Sequence, residues 1–105
     1  MKTTPIPAEE VNRLKALRNL KILDTAPEKQ FDEVSELASL ICETPVALIS
    51  LLDKNRQWFK SCIGFYTNET EREISFCNYT IKSDQEILHI SDALCDSRFK
   101  NNPLT

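Results

Sequence analysis

The residue types best suited to chemistry lie between positions 73 and 99 of the chain. This stretch contains Cys77, Cys95 and the single histidine, His89. A thiol can act as a nucleophile or redox centre, and an imidazole can transfer protons near neutral pH. The alternative is that all three are wall residues of a pocket or a core, which is the commoner role of an isolated free thiol.

The spacing of the four cysteines argues against a structural metal site. Cys42, Cys62, Cys77 and Cys95 are widely separated, and none forms a C-x-x-C pair. Structural zinc sites usually take their ligands in close pairs. We therefore expect no metal and no disulfide, with free and mostly buried thiols in a reducing compartment.

Composition limits the classes of partner. The 105 residues are 41% hydrophobic and 28% charged, which is typical of one globular domain. The net charge of -3 provides no excess of positive charge for nucleic acid. The apolar run "VALISLL" is far shorter than the ~20 residues of a membrane span, and "MKTTPIPAEE" has no apolar signal region. We expect a cytoplasmic protein with neither nucleic acid nor membrane as a partner.

Two helices are predicted in the first half of the chain. The first should begin near Pro7, because proline suits the first helical turn. Its apolar positions with helical period are Val11, Leu14 and Leu17. The second should start at Pro27 and end near Glu43, because a residue before proline, here Thr44, is disfavoured in a helix. Its apolar positions are Phe31, Val34, Leu37, Ala38 and Ile41.

A β-hairpin is predicted for residues 46 to 63. "VALISLL" is apolar on both alternating faces, as in a central strand, and "DKNR" suits a tight turn before "QWFKSCI". Trp58 and Phe59 are adjacent on the second strand and must face opposite ways. At most one of them can therefore line a pocket.

The second half of the chain carries weaker signals. Residues 64 to 72 are expected to form a loop, "ISFCNYTIKS" a short helix, "EILHIS" a short third strand, and the tail one helical turn after Asp96. Helix, helix, hairpin, helix and strand in this order predict an α+β domain with helices packed on an antiparallel sheet.

Four stretches occur in an order that resembles the N-terminal two thirds of a GAF domain, especially those of bacterial sensor histidine kinases and diguanylate cyclases. They are "RLKALRNLKILDTAPEKQFDEVSELA", "PVALISLLDKNRQWFKSCIG", "ISFCNYTI" and "ISDALCDSRFKNNPLT". The resemblance implies a six-stranded antiparallel sheet with helices on one face and a small-molecule pocket on the other. Residues 1 to 105 would be a single GAF-like domain truncated at its C-terminus, without the last strands. An open strand edge would favour a homodimer.

The function implied by this resemblance is regulatory and non-catalytic. Such a domain would sense a small molecule of unknown identity, with no resident cofactor, in a bacterial two-component or cyclic di-GMP signalling protein. It would act on an attached or separate kinase or cyclase output module through a ligand-linked or dimer-linked conformational change. A ligand-free dimerisation module is an alternative reading.

The resemblance also indicates candidate pocket residues. These are Trp58, Phe76, Cys77, Tyr79, His89 and Arg98. Bilin-binding relatives place histidine after their attachment cysteine, whereas Asn78 follows here. Tyr79 stands where similar sequences often carry histidine, so titration near neutral pH would be lost there. Arg98 could form an anion-binding rim, or simply pair with a neighbouring carboxylate.

The alternative from another class is an enzyme. Free methionine-R-sulfoxide reductases are GAF proteins that reduce their substrate with cycling thiols. The thiols of this chain in loosely similar regions are Cys62, Cys77 and Cys95. Their spacing does not clearly match, and the glycine-rich surroundings of those enzymes are missing.

Overall fold

Helices lie before and after the strands along the described part of the chain. The computed structural model describes residues 8 to 105, with α1 at Ala8–Asn19, α2 at Lys29–Cys42, a 3-10 helix at Arg72–Ile74 and α3 at Cys77–Thr80. Acidic residues lie in the first turn of α1 and a basic residue in its last turn, which complements the helix dipole. Helix α2 is capped at its C-terminus by Glu43, which adopts a left-handed conformation with φ 51°. The predicted start at Pro7 lies outside the described residues.

The sheet has three antiparallel strands in the order β1-β2-β3, at Ala47–Leu52, Arg56–Ile63 and Glu69–Glu71. The β1–β2 register shifts between Ile49 and Ser50, which pair with Ser61 and Phe59. Lys60 is therefore the extra residue of a β-bulge. The bulge allows Lys60 and Ser61 to contact the same layer of the molecule, although they are consecutive.

Opposite faces of the sheet carry different elements. Ser61 donates a hydrogen bond to Asp32 of α2, and its strand partner Ile49 shares that face. The next residue, Ser50, faces the other way and lies 3.1 Å from Cys77 of α3. Helix α2 therefore covers one face, and α3 covers the other.

A buried lysine fixes the connection between α1 and α2. The Lys60 side chain is 1% exposed and pairs with Glu28 at 2.7 Å. It also donates to the Thr25 hydroxyl and the Ala26 carbonyl, both at 2.7 Å, and lies over the Phe31 ring. Because every one of these contacts is local to the loop and the start of α2, they hold this end of the helix against the strand.

The face of α2 that meets the sheet is its polar one. Ser35 is buried, and Asp32 bonds to the sheet. The apolar positions Val34, Leu37 and Ile41 are 57%, 56% and 72% exposed. Helical periodicity thus predicts the helix, but four of its five apolar positions are exposed in the described part of the chain and only Phe31 is half-buried.

The α+β class and the hairpin are confirmed, whereas two strand predictions are wrong. β1 lies at an edge of the sheet rather than in its centre, and it is half-buried for most of its length. The segment "EILHIS", residues 86 to 91, has no regular structure, and the third strand is Glu69–Glu71, inside the expected loop. β3 forms because it pairs with the first three residues of β2, while no described strand lies beside residues 86 to 91. No helix within residues 8 to 105 is both long and apolar enough to span a bilayer.

Candidate functional site

Three of the candidate pocket residues meet around Phe99, which is completely buried. Phe76 stacks on Phe99 with ring centroids 4.3 Å apart, and Tyr79 meets it edge-on at 4.9 Å. The guanidinium carbon of Arg98 lies 5.2 Å from the ring centroid. Offset and edge-on aromatic pairs stabilise such a cluster beyond the area they bury. Phe99 is therefore the centre of the packing in the second half of the chain.

The aromatic cluster is attached to the sheet and to the C-terminal segment. Cys77, at the start of α3, contacts Ser50 of β1. The Asn102 amide donates to the Ile74 carbonyl at 2.8 Å, and the Thr105 hydroxyl donates to the Phe99 carbonyl at 2.7 Å. The segment around Phe76 thus lies over the sheet on the face opposite α2.

Trp58 and His89 do not join this cluster. Trp58 is buried and lies on β2 between Arg56 and Lys60. Both of those neighbours contact the α1–α2 connection, Arg56 through Asp24, so Trp58 shares the helix-facing side by strand alternation. His89 is exposed in the irregular segment after α3.

The thiols lie in separate surroundings. Cys62 lies 3.8 Å from two carbonyl oxygens of the loop after β2, and Cys95 lies 3.4 Å from an Asp92 carboxylate oxygen. All four cysteines are free, and Cys42 and Cys95 are exposed, so the expectation of mostly buried thiols is wrong for these two. Within residues 8 to 105, no group of three or more His, Cys, Asp or Glu side chains is arranged to hold a metal ion.

A polar cavity of about 490 Å³ opens where the β1–β2 turn meets the segment from β3 to α3. None of the candidate pocket residues lines it. Its lining residues are Lys54, Asn55, Glu71, Arg72, Glu73, Asn78 and Lys82. The cavity therefore has a charged and amide-rich wall rather than an apolar one.

Arg72 joins the elements around this cavity. Its side chain is 15% exposed. Nε donates to the Asn78 side chain at 3.0 Å, and Nη1 donates to the Lys54 carbonyl at 3.3 Å. Nη1 also donates to Glu10 of α1 at 2.6 Å, while Nη2 makes a long contact of 3.4 Å with the other Glu10 oxygen. One guanidinium thus links α1, the hairpin turn and α3.

Glu10 lies between two arginines. Arg13 donates to both Glu10 oxygens, at 2.8 and 2.9 Å, and also to the Leu52 carbonyl at the end of β1. The hydrogen bonds from Arg13 and then Arg72 lower the pKa of Glu10 from 4.5 to about 2, although burial opposes the shift. Charge-assisted bonds of this kind favour the ionised carboxylate.

Sequence reasoning missed Glu10, Arg72 and Phe99. The helical pattern of the first helix does not single out Glu10, and Arg72 is the last residue of the segment expected to form a loop. Their contact spans 62 positions, so no local pattern indicates it. Phe99 follows Arg98 in a polar stretch, and its aromatic side chain is the one signal there that could have indicated a core residue.

The stability of the fold should depend on Glu10 in acid. Because its pKa is lower in the folded state, its stabilisation is fully present above pH 4.5 and is lost as the pH falls towards 2. We expect Glu10→Gln to reduce the free energy of unfolding by about 1–3 kcal/mol at pH 7 and by little at pH 2. Urea unfolding at both pH values measures this difference in free energy.

The matched control for Glu10→Gln is Glu33→Gln, on an exposed ion pair, which should change stability by under about 0.5 kcal/mol. An equal loss for Glu10→Gln at both pH values would contradict the argument.

Comparison with known proteins gives a curated relative that matches along almost the whole chain. No protein-family model matches the chain. The chain is similar to the cyclic di-GMP phosphodiesterase PA2567 of Pseudomonas aeruginosa strain PAO1, with 38% identity over 103 residues. The alignment covers 98% of this chain and 17% of that protein. The similarity therefore runs through the whole chain but reaches only a small part of the relative.

Proposed function

We propose that this chain is a regulatory GAF-type domain of a bacterial cyclic di-GMP signalling protein. The observation that carries the proposal is the end-to-end match of this chain to a minor portion of a phosphodiesterase. The proposed domain is non-catalytic, works in the cytoplasm, and acts on a kinase, cyclase or phosphodiesterase output module. The four ordered stretches that resemble GAF domains support the family assignment.

The arrangement of the second half of the chain supports a conformational role. α3 and the Phe99 cluster lie over one sheet face, while α1 and α2 connect to the other through Lys60 and Arg56. A ligand or a second copy that favours one packing of the α3 side would shift the population of states that the output module detects. A homodimer is part of this proposal.

A segment exchange tests the proposal. The 103-residue matching segment of the P. aeruginosa phosphodiesterase is replaced by this chain or deleted, and hydrolysis of cyclic di-GMP is measured. We expect deletion to change the rate by at least about fivefold, and the exchange to restore it to within about threefold of the parent. Exchange for this chain carrying Phe99→Ala should not restore it.

Two results would contradict a regulatory, non-catalytic role. One is a phosphodiesterase whose rate is unaffected by deletion of the segment. The other is activity of the isolated chain, either on cyclic di-GMP or on free methionine sulfoxide in a thioredoxin-coupled assay. In the second assay, loss of turnover in Cys95→Ser would favour the reductase. Native mass spectrometry of the purified chain reports both the subunit number and any carried ligand.

A further inference from the structure

The cavity beside Arg72 offers the groups that recognise oxyanions. Lys54, Arg72 and Lys82 supply three positive charges, and two asparagine side chains supply amide donors. Glu71 and Glu73 also line the cavity, but both side chains are exposed. Their carboxylates can therefore turn into solvent, away from a bound anion, at a modest cost in free energy. The guanidinium is the most buried of the basic groups, and its planar fork matches a carboxylate or a phosphate.

Glu10 already occupies part of that fork. Its carboxylate accepts a 2.6 Å bond from Nη1 of Arg72, whereas its contact with Nη2 is 3.4 Å. A good bidentate pair has two bonds of about 2.7–2.9 Å. The protein's own carboxylate therefore uses Arg72 as a ligand oxyanion would, but with only one good bond.

Displacing Glu10 from Arg72 would leave no unpaired carboxylate. Arg13 bonds both Glu10 oxygens and would continue to do so. Leaving a buried charge without a partner is the usual reason that such exchanges are unfavourable. Here that penalty is avoided: an incoming oxyanion competes with one short bond and one long contact of Glu10, and the two bonds from Arg13 remain.

Replacement of Glu10 by a ligand on Arg72 would change how firmly α1 is held. Its buried residues, Leu14 and Leu17, lie in its second half, and Val11 in the first half is 41% exposed. Among contacts between described residues, this first half of the helix is held mainly by Glu10 and Arg13. Loss of the Glu10–Arg72 bond would loosen this end of the helix while the leucines keep the other end packed.

We propose that the cavity binds a small ligand carrying a carboxylate or phosphate, which replaces Glu10 on Arg72 and loosens the first half of α1. This inference rests on the proposed regulatory function, for which it supplies a ligand class and a signal. The ligand state of the cavity is transmitted to α1 through a single guanidinium.

Titration of the whole chain with inorganic phosphate and with acetate, at ionic strength held constant with chloride, tests the exchange. Binding is followed by ¹⁵N chemical shifts, and the two probes distinguish a phosphate from a carboxylate ligand. Glu10→Gln removes the negative charge with which the internal side chain competes for Arg72, and it should raise affinity for the preferred probe by at least about fivefold. Glu33→Gln should leave the affinity unchanged. Lys82→Gln, at an exposed wall position, should lower it by about two- to threefold.

Hydrogen exchange provides the second measurement. Saturating probe should speed exchange of the amides of residues 12 to 15, which bond back to the carbonyls of the first turn of α1, by at least about fivefold. Exchange in the rest of α1 and in α2 should stay unchanged. The proposed replacement of Glu10 would be overturned if neither phosphate nor acetate bound. It would also be overturned if the wild-type and Glu10→Gln proteins bound the probe with equal affinity. Either failure leaves the regulatory proposal standing if the segment deletion still alters the phosphodiesterase rate. An unaffected rate would remove the regulatory proposal whatever the titrations show.

Discussion

Replacing Gly64 with alanine is expected to destabilise the protein by about 3 kcal/mol or more, a large share of the stability of a domain of this size. Gly64 has φ +74°, and an added Cβ would lie 1.8 Å from the Pro45 carbonyl oxygen. A backbone carbonyl cannot rotate away as a flexible side chain can. The end of β2 would therefore have to separate from the segment that enters β1. Thermal and urea unfolding of the purified variant measure the loss.

A second left-handed residue provides the control for Gly64. Glu43 has φ 51° at the end of α2 but is exposed, so its conformation is strained without a close approach of other atoms. Glu43→Gly should stabilise the protein by about 0.5–1 kcal/mol, because glycine adopts this conformation without a Cβ penalty. If Gly64→Ala cost no more than about 1 kcal/mol, the close contact between Gly64 and Pro45 would be absent in solution.

The features that local patterns predicted are those formed by local contacts. The hairpin follows from two apolar strands around "DKNR", and its turn closes through the bond from the Asp53 amide to the Arg56 carbonyl. α2 follows from helical period and from Pro45. In each case the residues that determine the element lie within about twenty positions of one another, so a local sequence pattern is enough to predict it.

The features that patterns missed depend on distant residues. β3 is a strand because β2 is beside it, and "EILHIS" is not a strand in the described residues although it alternates as one. The orientation of α2 depends on Lys60, which is buried and pairs with Glu28 just before the helix. Lysine is usually exposed, so a sequence pattern would place Lys60 on the surface. The cavity around Arg72 requires α1 and the hairpin turn to meet. Such contacts are consequences of the assembled fold, and no window of sequence contains them.

The aromatic cluster is expected to show the second large effect, in Phe99→Ala. Phe99 is 0% exposed and touches Phe76, Tyr79 and Arg98. Removing a buried phenyl ring typically costs about 3–5 kcal/mol, through lost transfer energy and the cavity left behind. Phe99→Leu, which refills most of the space, should cost about 1–2 kcal/mol. Leu94→Ala, at a position 69% exposed in the same segment, should cost under about 0.5 kcal/mol.

The spectroscopic consequence of Phe99→Ala separates loss of the cluster from loss of the whole fold. The near-ultraviolet circular dichroism of Tyr79 should weaken, because its edge-on partner is gone, while Trp58 on the other sheet face should keep its emission maximum at temperatures where the variant is folded. Hydrogen exchange should rise in residues 72 to 82 before it rises in β1 and β2, since Phe99 holds α3 over the sheet. A loss below about 1 kcal/mol would show that α3 does not depend on this ring. The regulatory proposal would then lack the packed element through which it acts.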